Sequence, residues 1–199
     1  MSNIDHSANQ ISGRDTRYEV FLLPNNNVYP DERGRNITSF VSSITIEEGI
    51  TRSSLLTTLT IRDGVNMLDD MRISGNERIT VNIIQQTEKQ TLEINHECYI
   101  SDIVNFSRKL HVQTYQYLCV SETAYLNNLK VLNRHFKDSP GNLIQKILKN
   151  DLKVSSKKYF IRGAGGIIEG IYPNLRPVDA INWLKRNAWD GNEPFYFFE

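Results

Sequence analysis

Cysteine is scarce in this chain, with two among 199 residues. That is too few for a disulfide scaffold, and the spacing matches no zinc motif. Long apolar runs are missing too: no stretch approaches the ~20 apolar residues that a membrane-spanning helix needs. Residues 1–15 are polar and hold no apolar core of a secretory leader, so synthesis and folding in a reducing cytosol are expected. Net charge is also absent, because Lys+Arg and Asp+Glu both count 23. A dedicated nucleic-acid-binding domain is normally clearly basic, and a membrane-surface segment carries a basic face, so neither class is favoured. What is present is apolar material, 39% of residues. That suits one sizeable core, or a compact domain with a smaller satellite. A disordered chain would have fewer apolar groups and more net charge.

The pattern along the chain divides it into three parts. Residues 1–16 are polar and aperiodic and read as a flexible arm. Residues 17–125 carry strand patterns. Tyr18–Leu22 is a short β run ended by Pro24, Asn25, Asn26 and Asn27. Over 37–62 the spacing predicts an antiparallel hairpin, with Phe40, Ile44, Ile46, Leu55, Leu59 and Ile61 on a core face. Its opposite face offers Ser39, Ser43, Thr45, Ser54, Thr58 and Thr60, with Val41 and Leu56 among them. Val65, Met67, Leu68 and Met71 fit one or two helical turns, and Ile79, Val81 and Ile83 alternate as a further strand. Residues 91–105 and 109–121 read as a second, longer hairpin around Phe106-Ser107-Arg108. Together these give about six strands with one short inserted helix, a small β-barrel or sandwich.

After residue 125 the periodicity becomes helical. Ser139 is a good N-cap and Pro140 a good first helical residue, followed by Leu143, Ile144, Ile147 and Leu148 on one face. Residues 158–162 are compatible with a short strand. Pro177 opens a second helix with Ala180, Ile181, Leu184 and Ala188 on one side. Residues 126–199 thus read as a connector and the start of a second α/β domain. The aromatic run Phe195-Tyr196-Phe197-Phe198 is expected to form a strand whose partner lies beyond Glu199 or in another chain. The whole is classed as α+β, mainly β.

The chemistry-bearing residues form no convincing active site. Arg162-Gly163-Ala164-Gly165-Gly166 is glycine-rich but lacks the spacing of a phosphate loop, and reads as a plain loop. His96 and Cys98 share a strand face, and with His111 or Cys119 they are the candidates for a metal site. Zinc usually takes four ligands at firm spacing, so no metal is expected. Asp69-Asp70, Glu47-Glu48 and Glu93 with Glu97 are the carboxylate pairs to test for acid–base work, and each reads as a solvated face. No nucleophile elbow or triad is visible. The aromatics Tyr115, Tyr117, Trp183 and Trp189 read as core or interface rather than a base-stacking platform. No enzyme activity and no cofactor are expected. Cys98 and Cys119 fall on the two arms of the second hairpin. The apolar faces suggest a register offset by one, which would put the thiols on opposite faces and leave them unbridged.

Several segments together carry a resemblance. Ser54-Leu55-Leu56-Thr57-Thr58-Leu59-Thr60-Ile61-Arg62-Asp63-Gly64 runs through Asn66-Met67-Leu68-Asp69 to Ser74-Gly75-Asn76-Glu77-Arg78-Ile79-Thr80-Val81. This strand, short helix, G-N-E and strand resembles the tube-like domain of baseplate hub proteins in contractile-tailed bacteriophages. Val131-Leu132-Asn133-Arg134-His135-Phe136 stands before the Ser139-Pro140 helix, as a connector does in that family. Tyr172-Pro173-Asn174-Leu175-Arg176-Pro177 then leads into the second helix and the aromatic run. The resemblance covers roughly residues 18–199. Two departures are Arg176, where relatives often place a Ser or Thr cap, and the lack of a second tube-like domain.

The resemblance implies a tail-tube-like antiparallel barrel that assembles as a homotrimer, with a spike protein on one face. The tail tube or a tube-initiator protein stands on the other face, and baseplate wedge proteins are further possible neighbours. DNA would pass through the central channel without specific binding. The location implied is the virion tail baseplate, after synthesis in the host cytoplasm. On this reading Ser39, Ser43, Thr45, Ser54, Thr58 and Thr60 line the channel, since neutral hydroxyls satisfy water without gripping phosphates. Arg52 and Arg62 would stand at its rim. The rival readings are a hub or tube component of a type VI secretion or extracellular contractile injection system, and a tail-associated cell-wall hydrolase with its catalytic part beyond residue 199. A nucleic-acid-binding barrel is a third.

Overall fold

In the computed structural model the described residues are 15–24, 34–49, 52–86, 91–154, 161, 166–190 and 193–194. The chain divides into two compact units. The first is Met1–Ile46 with Leu56–Ser121, and the second is Glu47–Leu55 with Glu122–Glu199.

The first unit is a seven-stranded antiparallel sheet in the order β2-β1-β5-β6-β7-β4-β3. Its strands are β1 (Asp15–Leu23), β2 (Arg35–Asn36), β3 (Val41–Glu47), β4 (Leu56–Asp63), β5 (Arg78–Gln86), β6 (Thr91–Lys109) and β7 (Val112–Ser121). Two ladders join segments far apart in sequence. β1 pairs with β5 from Asp15↔Gln86 to Leu23↔Arg78, and β4 pairs with β7 from Leu56↔Val120 to Asp63↔Gln113. The sheet curls until its ends approach. Val20 N–H donates to Thr38 Oγ1 at 2.8 Å, and the Tyr18 hydroxyl donates to the Val41 carbonyl at 3.3 Å. The concave face holds the core, with Val20, Leu22, Leu59, Ile61, Ile79, Val81, Ile100, Tyr115 and Tyr117 fully buried. Each aliphatic side chain so buried contributes ~1.5–3 kcal/mol.

The connection from β4 to β5 closes one end of this core. It contains α1 (Met67–Asp70), whose Met67 is buried together with the following Met71. Four residues cannot hold a helix by propensity alone. Two buried carboxylates hold the connection instead. Asp63 Oδ1 accepts from Val65 N–H at 2.8 Å, and Asp63 Oδ2 accepts from Met67 N–H at 2.6 Å and from the Tyr115 hydroxyl at 3.3 Å. Glu77 accepts from Ser74 N–H at 2.9 Å and Gly75 N–H at 2.8 Å. Asp63 is 0% and Glu77 1% exposed. Charges this deep are stable only because several donors converge on them.

The hairpin 37–62 departs from its expected pattern in three places. Leu55, expected on the core face, lies before β4 in the second unit. Phe40 lies in a 3₁₀ turn (Thr38–Phe40) rather than in a strand. Val41, expected on the hydroxyl face, belongs to the core at 5% exposure. Ser42 and Ser43 are both exposed, so the inward phase passes from Val41 to Ile44 across them. A strict period of two does not survive such a step.

The second unit packs α2 (Glu122–Asn128), α3 (Pro140–Lys146) and α4 (Pro177–Asn187) with a small sheet of β8 (His135–Asp138) and β9 (Ile168–Ile171). A short pair, β10 (Trp189–Asp190) and β11 (Glu193–Pro194), follows. Leu143, Ile144, Ile147 and Leu148 are all buried, though the α-helix ends at Lys146 and a π turn carries Ile147–Asp151. Ser139 caps α3 by accepting from Asn142 N–H. Gly170 is required by packing, because a Cβ there would lie 2.9 Å from the Phe136 ring. That ring stacks on Tyr172 at 4.3 Å between centroids. Arg176 precedes α4 without a side-chain cap bond. The cap comes from elsewhere: Asn127 Oδ1, on α2, accepts from Val178 N–H at 2.8 Å. The expected strand at 158–162 and the aromatic run Phe195–Phe198 lie, but for residue 161, outside the described residues.

Replacing Asp63 by Ala leaves three donors without this acceptor, two of them in buried bonds, and a loss of about 3 kcal/mol in urea unfolding is expected. Asp70→Ala removes only an exposed ion pair with Arg35 and should cost below about 0.5 kcal/mol. Equal costs for the two would remove the anchoring role given to Asp63.

Asp138, beside α3, gives a pH signature. Lys146 Nζ at 2.7 Å, Asn142 and Ser139 N–H hold its pKa down to about 2. The folded value lies below the ordinary carboxylate value of 3.8. Its stabilisation is therefore present above that value and is lost as pH falls towards about 2. Melting followed between these limits should fall less steeply in Asp138→Asn than in the wild type.

Candidate functional site

β4 sorts its residues cleanly. Thr57, Leu59, Ile61 and Asp63 point into the core, while Leu56, Thr58, Thr60 and Arg62 lie on the opposite, convex face. Ser43 and Thr45 are exposed on the neighbouring strand β3. The structure therefore brings four of the six hydroxyl residues, Ser43, Thr45, Thr58 and Thr60, onto two adjacent strands. Ser39 is set apart in the 3₁₀ turn, where it is exposed, and Ser54 lies in the bend before β4, within the second unit.

The hydroxyls continue into a neutral hydrogen-bonded patch. Gln116 on β7 is the register partner of Thr60, and its Nε2 donates to Thr60 Oγ1 at 3.3 Å. Its Oε1 accepts from Asn105 Nδ2 at 2.6 Å. Ser42 Oγ donates to the Thr60 carbonyl at 3.0 Å. Leu118 and Leu56 add apolar area on the same face. Arg62 is the exposed cation at its end, while Arg52 is engaged by Glu47 at 2.7 Å. Such a surface binds water and neutral polar groups. It offers no row of cations to hold phosphates.

A second cluster lies inside the sheet. His96 Nε2 and Thr57 Oγ1 are 2.7 Å apart and buried. The register pairs Cys98 with Ser121 and Ile100 with Cys119, an offset of two rather than the expected one. Both thiols therefore share the core face. The hairpin turns at Leu110-His111 rather than around Phe106-Ser107-Arg108, which lie within β6, and this changes the register. The two bulges in β6, at Ile100/Asp102 and Val104/Ser107, add one residue each and together leave the facing parity unchanged. The Cys119 thiol, then His96 and Thr57, lower the Cys98 pKa by hydrogen bonding, against the effect of burial. Cys119 is pushed up by Cys98 and by burial. Both cysteines are free and sealed from solvent, at 0% and 2% exposure. Nucleophilic chemistry needs a reachable thiolate, and this one is enclosed.

The remaining sequence candidates do not converge. His111 sits exposed in the turn after β6, away from the buried thiols. Among the described residues no group of three or more His, Cys, Asp or Glu is placed to hold a metal. Glu47 pairs with Arg52, Asp70 with Arg35, and Asp69 accepts from Asn66 Nδ2 at 2.6 Å. Of the glycine-rich segment only Gly166 is described. Asp63 and Glu77 are the positioning residues that the sequence reading passed over. Their signal was present as D-G before the short helix and G-N-E after it.

No family model and no curated protein matches this chain. Solved structures do. The 43 kDa tail protein of prophage MuSo2 from Shewanella oneidensis is similar at 13% identity and a TM-score of 0.55, over 87% of this chain and 48% of that one. The lidless PdpA–VgrG complex contains a chain similar at 11% identity and a TM-score of 0.54, over 93% of this chain and 34% of that one. The lidded Francisella PdpA–VgrG complex gives 11% and 0.53, over 96% and 29%. At these identities the likeness is one of fold. The expected class, α+β and mainly β with a short inserted helix and a following helix-containing segment, is the one found, with the expected tail-tube-like barrel present as a curled antiparallel half-barrel sheet. The chain spans about half the length of the tail protein, and less of the VgrG-complex chains. Among the described residues no helix is long and apolar enough to cross a membrane.

The enclosed thiols lead to a direct expectation. Neither Cys98 nor Cys119 should react with iodoacetamide in the folded protein, and both should react once urea unfolds it. A mass short of two hydrogens, or fast labelling of the native protein, would contradict the geometry.

Proposed function

We propose that this chain is a structural component of a contractile tail or injection apparatus, a hub-type subunit that links tube to spike and has no catalytic role. The observation that carries the reading is the fold likeness to a phage tail protein across 87% of this chain. In this reading three copies form a ring, with the spike on one face and the tube on the other. The neutral patch of Ser43, Thr45, Thr58 and Thr60 faces the central channel. Hydroxyls suit that place, because each added cation would hold a phosphate and slow a passing nucleic acid.

The likeness to chains of PdpA–VgrG complexes favours a second version of the same role, in which the particle is a secretion apparatus and the cargo is protein. The subunit's task is geometric in both.

Purification of particles with the chain in place tests the role. We expect three copies per particle by quantitative mass spectrometry. Ser43→Lys with Thr58→Lys should leave folding by circular dichroism and the copy number unchanged, while DNA ejection or cargo release falls about tenfold. Absence of the chain from the particles would refute the role. Hydroxyls pointing away from the ring axis in an assembled structure would refute the channel assignment alone.

A further inference from the structure

The turn between β6 and β7 has features that folding does not explain. Lys109 pairs with Val112, so Leu110 and His111 alone make the turn. Leu110 has φ +53, at the first turn position, where a two-residue hairpin ordinarily carries glycine. Among the described residues seven non-glycine residues have positive φ, and Leu110 is the one aliphatic side chain of the set. The cost of that conformation is recovered by no packing, since Leu110 is 92% exposed. Arg108, Lys109 and His111 around it are exposed and have no ion pair among the described residues. No carboxylate occurs in sequence between Asp102 and Glu122, so the turn and the strand ends that flank it carry only basic charged side chains.

The tip is also held firmly. The β6 bulge at Val104/Ser107 re-aims the strand just below it, with Asn105 at φ +54 and its amide bonded to Gln116. The exposed Phe106 ring stacks on the buried Tyr115 ring at 6.2 Å and 11°. A strained apolar apex on a stiff stem loses little entropy when it docks.

We propose that Leu110, flanked by Arg108 and Lys109, is a docking knob for a different protein of the particle, whose surface offers an apolar pocket rimmed by carboxylates. Two cations neutralise too few phosphates for firm DNA binding, and one leucine buries too little area to hold a membrane. Two copies of the tip repel each other.

The inference rests on the assembly role above, and its test separates the two. Particles are made in cells whose own copy is replaced by Leu110→Gly or by Arg108→Glu with Lys109→Glu. Leu110→Gly should melt no lower than the wild type, since glycine adopts positive φ freely. Both variants should enter particles about tenfold less than the wild type, the effect of losing a central anchor. A benzophenone amino acid at position 110 should cross-link, in assembled particles, to a different protein beside at least one Asp or Glu. Wild-type incorporation by Leu110→Gly overturns the knob and leaves the role standing. So does a cross-link to DNA, to lipid or to a second copy. Absence of the wild-type chain from particles overturns both.

Discussion

The first unit depends on the carboxylate of Asp63. Its two oxygens take the N–H groups of Val65 and Met67 and the hydroxyl of Tyr115, and the bonds from Met67 and Tyr115 are buried. An unmet charge there would be very costly, so the three donors and the acid fix one another. The turn after β4 then places Met67 and Met71 over the end of the core. Glu77 does the same work at the far end of the connection, where its main chain also bonds to Ile100 N–H at 2.9 Å. Tyr115 links this network to the sheet centre, since its ring lies 5.3 Å from Tyr117. Desolvation raises both phenol pKa values, so these hydroxyls stay protonated donors.

With that end fixed, the sheet's irregularities shape its surfaces. The turn at Leu110-His111 sets the register of β6 against β7, in which Cys98 and Cys119 face the core together, and Asn105, in the second bulge, reaches Gln116 on the convex side. The convex patch and the buried thiol cluster lie on opposite faces of the sheet. The first is wet and neutral. The second is dry and closed, and its His96–Thr57 contact supplies polar partners that a purely apolar face would lack.

The second unit solves its helix ends by borrowing. Asn127 of α2 serves the N-terminus of α4, and Arg176 reaches back to Asn128 Oδ1 at 3.0 Å. Asp138 serves α3 from β8, joined to Lys146 two turns away. Ser139 caps α3 itself, whereas Arg176 leaves that role at α4 to Asn127. A sequence departure that looks like a missing cap is a contact between elements.

The sequence by itself determined the class of structure. Period-two runs at 37–62, 79–83 and 109–121, the helical face of Leu143, Ile144, Ile147 and Leu148, and the Ser139-Pro140 start are local signals, and local physics reads them. The hydroxyl character of Thr58 and Thr60 was legible for the same reason. Tertiary structure alone decided which strands meet. The β1–β5 and β4–β7 ladders join distant segments, and periodicity gives the face of a strand but not its neighbour. It also decided where the second hairpin turns, at Leu110-His111, and so the register and the faces of the two thiols. It moved Val41 into the core, since a 3₁₀ turn resets the phase of the strand that follows. Asp63 and Glu77 stood in the sequence as ordinary turn acids. Only burial, which depends on all the other elements at once, made them anchors.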